Sequence, residues 1–412
     1  MGEADCWRIQ RSTNAPLLAG TMLIEITLAA IALFGHAVLW VGVSNRLHAM
    51  PLKRSHIKAI STLSNLGMLA VPIVFVWWIN RERPHPGEWR LVVERNPTAL
   101  FYALLCIGMA AVHVPRWLYV RFIVLRDAAA HGRRLFVLDV TRRLGRHPTR
   151  GIQFALGRLA PFNQVMRIEF TEKEVPLSHL PLTLEGLRIA HLSDLHLSGR
   201  VEPEFYREVI REVEALEPDL VLLTGDICDT ARCLSWIAEI LSPLQPRYGK
   251  FYILGNHDQR LNNIPELRAT VAAAGFVNLG GKVHQLEIDG ASVLLAGNEL
   301  PWFGPAPSNE DLPARSSARG LFKILLSHSP DQARWACRQG FELMLCGHTH
   351  GGQIRFPLVG PVVCPSWYGV RYSAGLFLER SMAVHVSRGV SGLFPVRWNC
   401  MPEVAMLVLR RR

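Results

Sequence analysis

No two of this chain's eight cysteines (6, 106, 228, 233, 337, 346, 364 and 400) form a CxxC pair. Cys228 and Cys233 come nearest, and without a second matching pair they argue against a zinc knuckle. Thiols scattered in this way suit a reducing compartment and core packing rather than a disulfide framework. A basic surplus is missing from the second half, where residues 161–412 hold 25 Lys/Arg against 26 Asp/Glu. A surface for long nucleic acid would place cations around its site, so no such partner is expected. The amino terminus lacks the marks of a cleavable signal peptide. Glu3 and Asp5 sit beside Arg8 and Arg11, and no small-residue cleavage site leads into a soluble domain.

What is present divides the 412 residues in two, a length that exceeds one ordinary domain. The net charge of +11 arises in residues 1–160, where 20 Lys/Arg face 8 Asp/Glu. That same region holds three apolar stretches, 26–43, 60–79 and 98–114, and about 20 apolar residues cross a bilayer. Residues 1–125 are therefore expected to be an all-α transmembrane region of about three spans. Glu25, His36 and His113 read as edge or helix–helix hydrogen-bonding positions rather than a proton path. Basic residues crowd the flanks after the first and third spans, which places the amino terminus outside and the carboxy-terminal half in the cytoplasm. The chain is thus expected to be an integral protein of the cell membrane, in contact with membrane lipids. Residues 126–160 mix apolar clusters with arginine pairs at near-helical spacing. They are expected to form a basic interfacial linker helix against anionic headgroups, with a solvated linker as the alternative. Pro161-Phe162-Asn163 is the expected boundary of a domain over 161–412.

From Val165 the texture changes to short apolar runs, each ending in a chemically loaded step. Leu187–Ser193 leads into Asp194-Leu195-His196, and Asp219–Thr224 into Gly225-Asp226. Lys250–Leu254 leads into Gly255-Asn256-His257-Asp258, Phe322–Ser327 into His328, and Phe341–Cys346 into Gly347-His348-Thr349-His350. Helical periodicity falls over 203–216, 231–242 and 264–275, and Asp289-Gly290 between two alternating runs signals a hairpin. Apolar runs without alternation are strands covered on both faces. Five of them ending in ligand-type residues gather those residues at one sheet edge, where open α/β sheets build their sites. Carboxylate, imidazole and amide are donors that divalent first-row metals accept.

The ordered set D-x-H, GD, GNH-D/E, H and GH-x-H, spread over about 190–410, resembles the calcineurin-like metallophosphoesterases, and within them the membrane-anchored bacterial branch. The resemblance implies an α/β fold, a four-layer αββα sandwich, behind the transmembrane region. It implies that one metal ion is held by Asp194, His196, Asp226 and His350. A second would be held by Asp226, Asn256, His328 and His348, with Asp226 as the bridge. His257 becomes the proton donor to the leaving oxygen or a charge partner for phosphate, and Asp258 the residue that orients it. The implied reaction is hydrolysis of a phosphodiester or pyrophosphate bond by metal-activated hydroxide. Its cofactors would be two divalent ions, manganese first, with iron, zinc or cobalt as alternatives. A domain beside a lipid surface favours a lipid-linked substrate. Small nucleotides are the alternative, and a non-catalytic scaffold the reading from another class.

Other residues take plainer readings. Asp229 reads as a cap of the following helix, His191 and His385 as packed strand residues, and Thr349 as structural. Arg200, Gly351, Gly352 and Gln353 divide evenly between lining a phosphate and ordinary loop roles. Trp302, Phe303 and Trp367 read first as aromatic packing and second as a shelf for acyl chains.

Overall fold

The computed structural model describes residues 3–82, 89–308, 310–313, 320–380, 382–392 and 394–412. It divides into two compact units, one of residues 1–48 and 52–119, the other of 49–51 and 120–412.

The first unit is built from helices Glu3–Leu47, Arg54–Glu82 and Pro97–Tyr119, with a short helix Trp89–Arg95 between the last two. Stretches Met22–Leu47, Arg54–Glu82 and Pro97–Ala130 are long and apolar enough to cross a membrane. The third runs past the expected end at 114, because Pro115 sits inside the helix without ending it. His36 ties the three helices together, its Nδ1 2.7 Å from Tyr102 Oη and its Nε2 3.0 Å from the Met68 carbonyl. Gly35 lies against the backbone of Cys106, where any Cβ would collide. Small residues at such crossings let apolar helices approach closely.

Among its described residues the second unit contains fifteen strands: β1 (Gly132–Asp139), β2 (Arg167–Leu177), β3 (Arg188–Leu192), β4 (Leu220–Thr224), β5 (Lys250–Ile253), β6 (Val277–Asn278), β7 (Val283–Ile288), β8 (Ala291–Asn298), β9 (Leu321–Ser327), β10 (Leu343–Cys346), β11 (Arg355–Phe356), β12 (Gly360–Pro361), β13 (Gly375–Glu379), β14 (Met382–Val386) and β15 (Glu403–Arg411). One sheet has the order β1-β2-β15-β3-β4-β5-β6 and a second β13-β14-β10-β9-β8-β7, while β11 and β12 pair as a small hairpin. The two large sheets share an apolar core of Ile189, Leu222, Ile253, Leu295, Ile324 and Leu345, all fully buried, with their neighbours. Helices Pro203–Glu214, Leu234–Leu241 and Ile264–Ala273 cover the first sheet through Val209, Ile237 and Leu267. Helix Ala333–Arg338 covers the second through Ala336. The result is the expected α/β sandwich of four layers, each fully buried aliphatic side chain contributing about 1.5–3 kcal/mol of transfer energy.

Two expectations change. The loaded strands do not share one sheet: β3, β4 and β5 run parallel in the first, whereas β9 and β10 run parallel in the second. The ligand steps therefore meet across two packed sheets, at the ends where both sets of strands finish. The linker helix expected over 126–160 is a short helix, Leu125–Ala130, then edge strand β1 and two helices of about a turn, Val140–Leu144 and Ile152–Gly157. Strand β1 lies antiparallel on β2, with Phe136 stacked on Phe170 at 4.6 Å. Arg133 and Arg134 answer Glu172 and Glu169 on that neighbour. Arg133 and Arg134, which looked like headgroup contacts along a helix, are cross-strand partners, and the compact second unit takes in residues from 120 rather than 161. The expected hairpin is present: Asp289 and Gly290 carry φ of 48° and 81° between β7 and β8, as a type I′ turn requires.

Candidate metal centre

The turns after the strands are sharp. Asp194, His196, Asp226, His348 and His350 all adopt positive φ, between 50° and 70°. A non-glycine residue held there costs about 1–3 kcal/mol, a strain that concentrates at functional sites. Surrounding hydrogen bonds hold these turns in place. Asp194 N donates to Gly225 O (3.0 Å) and His196 N to Asp226 O (2.9 Å), lashing the first turn to the second. A Cβ on Gly347 would overlap Ser193 Oγ and the Asp194 carboxylate, and one on Gly255 the Asp226 carboxylate. Only glycine lets the backbones pass so close to the acids.

Asp194, His196, Asp226 and His350 bring one ligand atom each to within 4.8 Å of the others. His196 Nε2 lies 3.6 Å from Asp226 Oδ2, 3.8 Å from Asp194 Oδ1 and 3.2 Å from His350 Nε2. On its far side His196 Nδ1 donates to Asp229 Oδ2 at 3.0 Å, which leaves the Nε2 lone pair facing the cluster. Next to it, His328 Nδ1 donates to Thr224 O at 2.7 Å. Its Nε2 then faces Asp226 Oδ2 at 3.3 Å and Asn256 Oδ1 at 3.1 Å, both acceptors. The His348 ring completes this half, 5.0 Å from that of His328, and its buried Nε2 has no hydrogen-bond partner among the described residues. In the half around His328, buried acceptors converge with no donor between them and repel one another unless a cation lies among them. The donor set thus fits divalent metal. Burial works against charging His196 and His328, yet the carboxylates around each prevail and push both up to about 9. A proton takes the cation's part there.

His350 is held differently. Arg397, fully buried, places Nη2 3.1 Å from His350 Nδ1 and also reaches Ser391 O and Arg388 O. A guanidinium only donates, so the His350 proton sits on Nε2; a neutral ring holding a metal through Nε2 would carry that proton on Nδ1 instead, turned off Arg397.

The structure reassigns the residue that orients His257. Asp258 is turned away: its carboxylate accepts from Ile227 N, Cys228 N and Gly255 N at 2.8–2.9 Å and sews the second turn to the third. Burial, with Asp226 nearby, raises it to about 7. Asp229 does the orienting instead. Its Oδ1 accepts from His257 Nδ1 (2.8 Å) and Arg260 Nη1 (2.6 Å), while Oδ2 holds His196. The cap reading of Asp229 is thereby replaced, since its carboxylate makes these three contacts across loops distant in sequence. Arg260 Nη2 also lies 3.1 Å from His257 Nε2. Trp302 packs on the rings of His348 (4.8 Å) and His328 (5.5 Å), so it walls the site as packing. His191 and His385 meet each other at 2.7 Å between the sheets, and His191 Nε2 reaches Thr224 Oγ1 at 2.9 Å. Arg260 and Arg397 had no signal in the sequence, for neither belongs to a repeated step.

Residues 187–352 match the model of the calcineurin-like phosphoesterase family. The metallophosphoesterase YkuE of Bacillus subtilis is 34% identical over 59% of this chain and 86% of its own length. The chain belongs to the calcineurin-like metallophosphoesterases. Within this family of metal-dependent phosphoester hydrolases, the phosphodiesterase YaeI of Escherichia coli is 34% identical over 54% of this chain and 82% of its own. A transmembrane protein with metallophosphoesterase domain from Bos taurus is 30% identical over 68% of this chain and 66% of its own.

Proposed function

We propose that this metallophosphoesterase is a dinuclear-metal enzyme of the cell membrane, its catalytic domain in the cytoplasm, that hydrolyses a phosphodiester or pyrophosphate bond of a lipid-linked substrate. The observation that carries the reading is the convergence of acceptors in two adjoining halves. Asp194, His196, Asp226 and His350 would hold one ion, and Asp226, Asn256, His328 and His348 the other, with manganese favoured. Bound there, two divalent ions supply Lewis acidity and bring the pKa of water towards neutrality. The chain's own residues do the rest. Asp226 Oδ2 faces both halves, lying 3.6 Å from His196 and 3.3 Å from His328. His257, half-buried at the margin, keeps a proton on Nδ1 towards Asp229 and turns Nε2 to Arg260. Released from Arg260 and given a second proton, against the lowering effect of burial on this ring, that Nε2 would donate to the departing oxygen, and Arg260 would add a fixed positive charge for the phosphate. Trp302 keeps bulk water off the second half. The three apolar helices support a substrate presented at a bilayer, and the near-neutral second half gives no cation-rich track for a polymer.

The test is hydrolysis by purified full-length protein with manganese, across bis-p-nitrophenyl phosphate, lipid pyrophosphates, phospholipids and nucleotides. Turnover of a lipid phosphate, abolished in Asp226→Ala, is expected. Turnover of nucleotides alone would transfer the assignment to the small-nucleotide alternative. No metal-dependent hydrolysis of any of them would refute the reading.

A further inference from the structure

The segment 140–166, deprived of its expected linker helix, leaves an unusual surface behind. Ile152, Leu156, Leu159 and Phe162 are all exposed, Leu159 by 79% and Phe162 by 82%. They project from one short helix and the turn after it, whereas Phe154 on the same helix is buried in the core. This ridge abuts the loop 394–398. Gly157 packs on Pro395, Asn163 Nδ2 donates to Pro395 O at 2.8 Å, and Arg397 N donates to Asn163 Oδ1 at 3.0 Å. Exposed Phe394 extends the ridge, and Trp398, at the loop's other end, meets Phe356 edge-on at 5.8 Å. From there the β11–β12 hairpin carries Leu358, 78% exposed, whose carbonyl accepts from Arg121 Nε at 2.9 Å. Arg121 belongs to the stretch Pro97–Ala130, which is apolar enough to cross a membrane. Exposed apolar residues are therefore spread from the β11–β12 hairpin, tied to Arg121, to the loop whose Arg397 touches His350.

Charge marks both ends of this run. Arg121 and Arg158 hydrogen bond only neutral groups, Leu358 O and Thr149, and among the described residues neither meets a carboxylate. Of the five arginines from Val140 to Met166, Arg142, Arg143, Arg146 and Arg150 meet carboxylates of Asp139, Glu212 and Glu202, which leaves Arg158 as the cation at this end.

We propose that this ridge is a membrane-contact surface, seated in the interface of an anionic leaflet, which holds the mouth of the metal centre at headgroup level. The inference rests on the reading of this chain as a membrane-bound hydrolase of lipid phosphates. Aromatic and aliphatic side chains rimmed by arginine are the composition of interfacial surfaces, which sink about 5–10 Å into the headgroup boundary. A soluble monomer seldom leaves a large apolar patch bare. The bilayer supplies both an apolar phase for Leu159, Phe162 and Phe394 and phosphates for Arg121 and Arg158.

Nitroxide labels on Leu159→Cys and Phe394→Cys, in the full chain reconstituted into phosphatidylglycerol-containing vesicles, test this without substrate or metal. Arg247→Cys is the control. Arg247 precedes β5 and so lies at the opposite end of the sheets, with its side chain 65% exposed. Unmutated protein labelled in parallel subtracts the native thiols. The ratio of oxygen to nickel-chelate collision rates should be several-fold higher at the ridge labels than at the control, and higher with phosphatidylglycerol than with phosphatidylcholine alone. Equal ratios at ridge and control would overturn the proposal. So would spin–spin broadening between labels, which would mean that a second copy covers the ridge. A ridge in lipid without turnover of any lipid phosphate would refute the substrate and leave the surface standing.

Discussion

Replacing Asp229 by Asn is the sharpest single probe of the centre, because one carboxylate serves three groups at once. Its oxygens accept from His196 Nδ1 at 3.0 Å, His257 Nδ1 at 2.8 Å and Arg260 Nη1 at 2.6 Å. Asparagine keeps the size and offers one acceptor and one donor. Whichever way the amide turns, one imidazole meets an N–H where it needs an oxygen, and its proton must move to Nε2. For His196 that is the face turned to Asp194 and Asp226, so ligation is blocked. For His257 it removes the geometry in which Asp229 steadies a charged ring. Losing such an outer partner costs about 10–100-fold in metal affinity or activity. Since one imidazole fails outright while the other only loses charge, the upper end applies. We expect about a 100-fold fall in kcat or in manganese affinity, roughly 2.7 kcal/mol. The assay is kcat on bis-p-nitrophenyl phosphate against manganese concentration, with elemental analysis of bound metal and a melting curve as the fold control. A variant that keeps both kcat and manganese affinity within about twofold would refute the assignment of Asp229.

Three further outcomes follow from the same contacts. Gly347→Ala forces a Cβ into Ser193 Oγ and the Asp194 carboxylate, so bound metal should fall with little change in helix content, read by elemental analysis and circular dichroism. Glu403→Ala strips buried Lys173 (2.6 Å) and Arg388 (3.2 Å) of their shared acid, and should destabilise the domain by about 3–5 kcal/mol in denaturant titration. His191, fully buried, is lowered to about 3 by desolvation, so the folded chain refuses a proton that the unfolded chain accepts near 6.5. Its contribution to stability is complete above about pH 6.5 and falls by about 1.4 kcal/mol per unit as pH drops towards 3. Melting curves from pH 7 to 4 should fall with at least this slope, since buried His350 and His385 are lowered too, and His191→Gln should make the fall shallower.

How far the chain could be read depended on whether a signal was local. The loaded turns were legible because each strand end carries its own ligands and its own glycine, a pattern complete within a few residues. The same holds for the helices at 203, 234 and 264, whose periodicity lies within single elements, and for the Asp289-Gly290 turn. Reading failed where the deciding partner is distant. Arg133 and Arg134 look like a headgroup-binding stripe until β2 supplies Glu172 and Glu169 more than thirty residues later. Asp229 looks like a cap until the turn at 257–260 folds back on it.

The sequence by itself determined the split between a basic apolar half and a near-neutral half, the α/β class, and the ligand-type residues at strand ends. Charge, hydrophobic run length and motif order need no partner to be recognised. Only the tertiary structure decided that those strands belong to two sheets, that Asp258 binds backbone while Asp229 binds His257, and that exposed apolar side chains line the approach to Arg397. Each of these depends on where an unsatisfied donor or a bare side chain finds its neighbour, and that is settled when the two sheets pack.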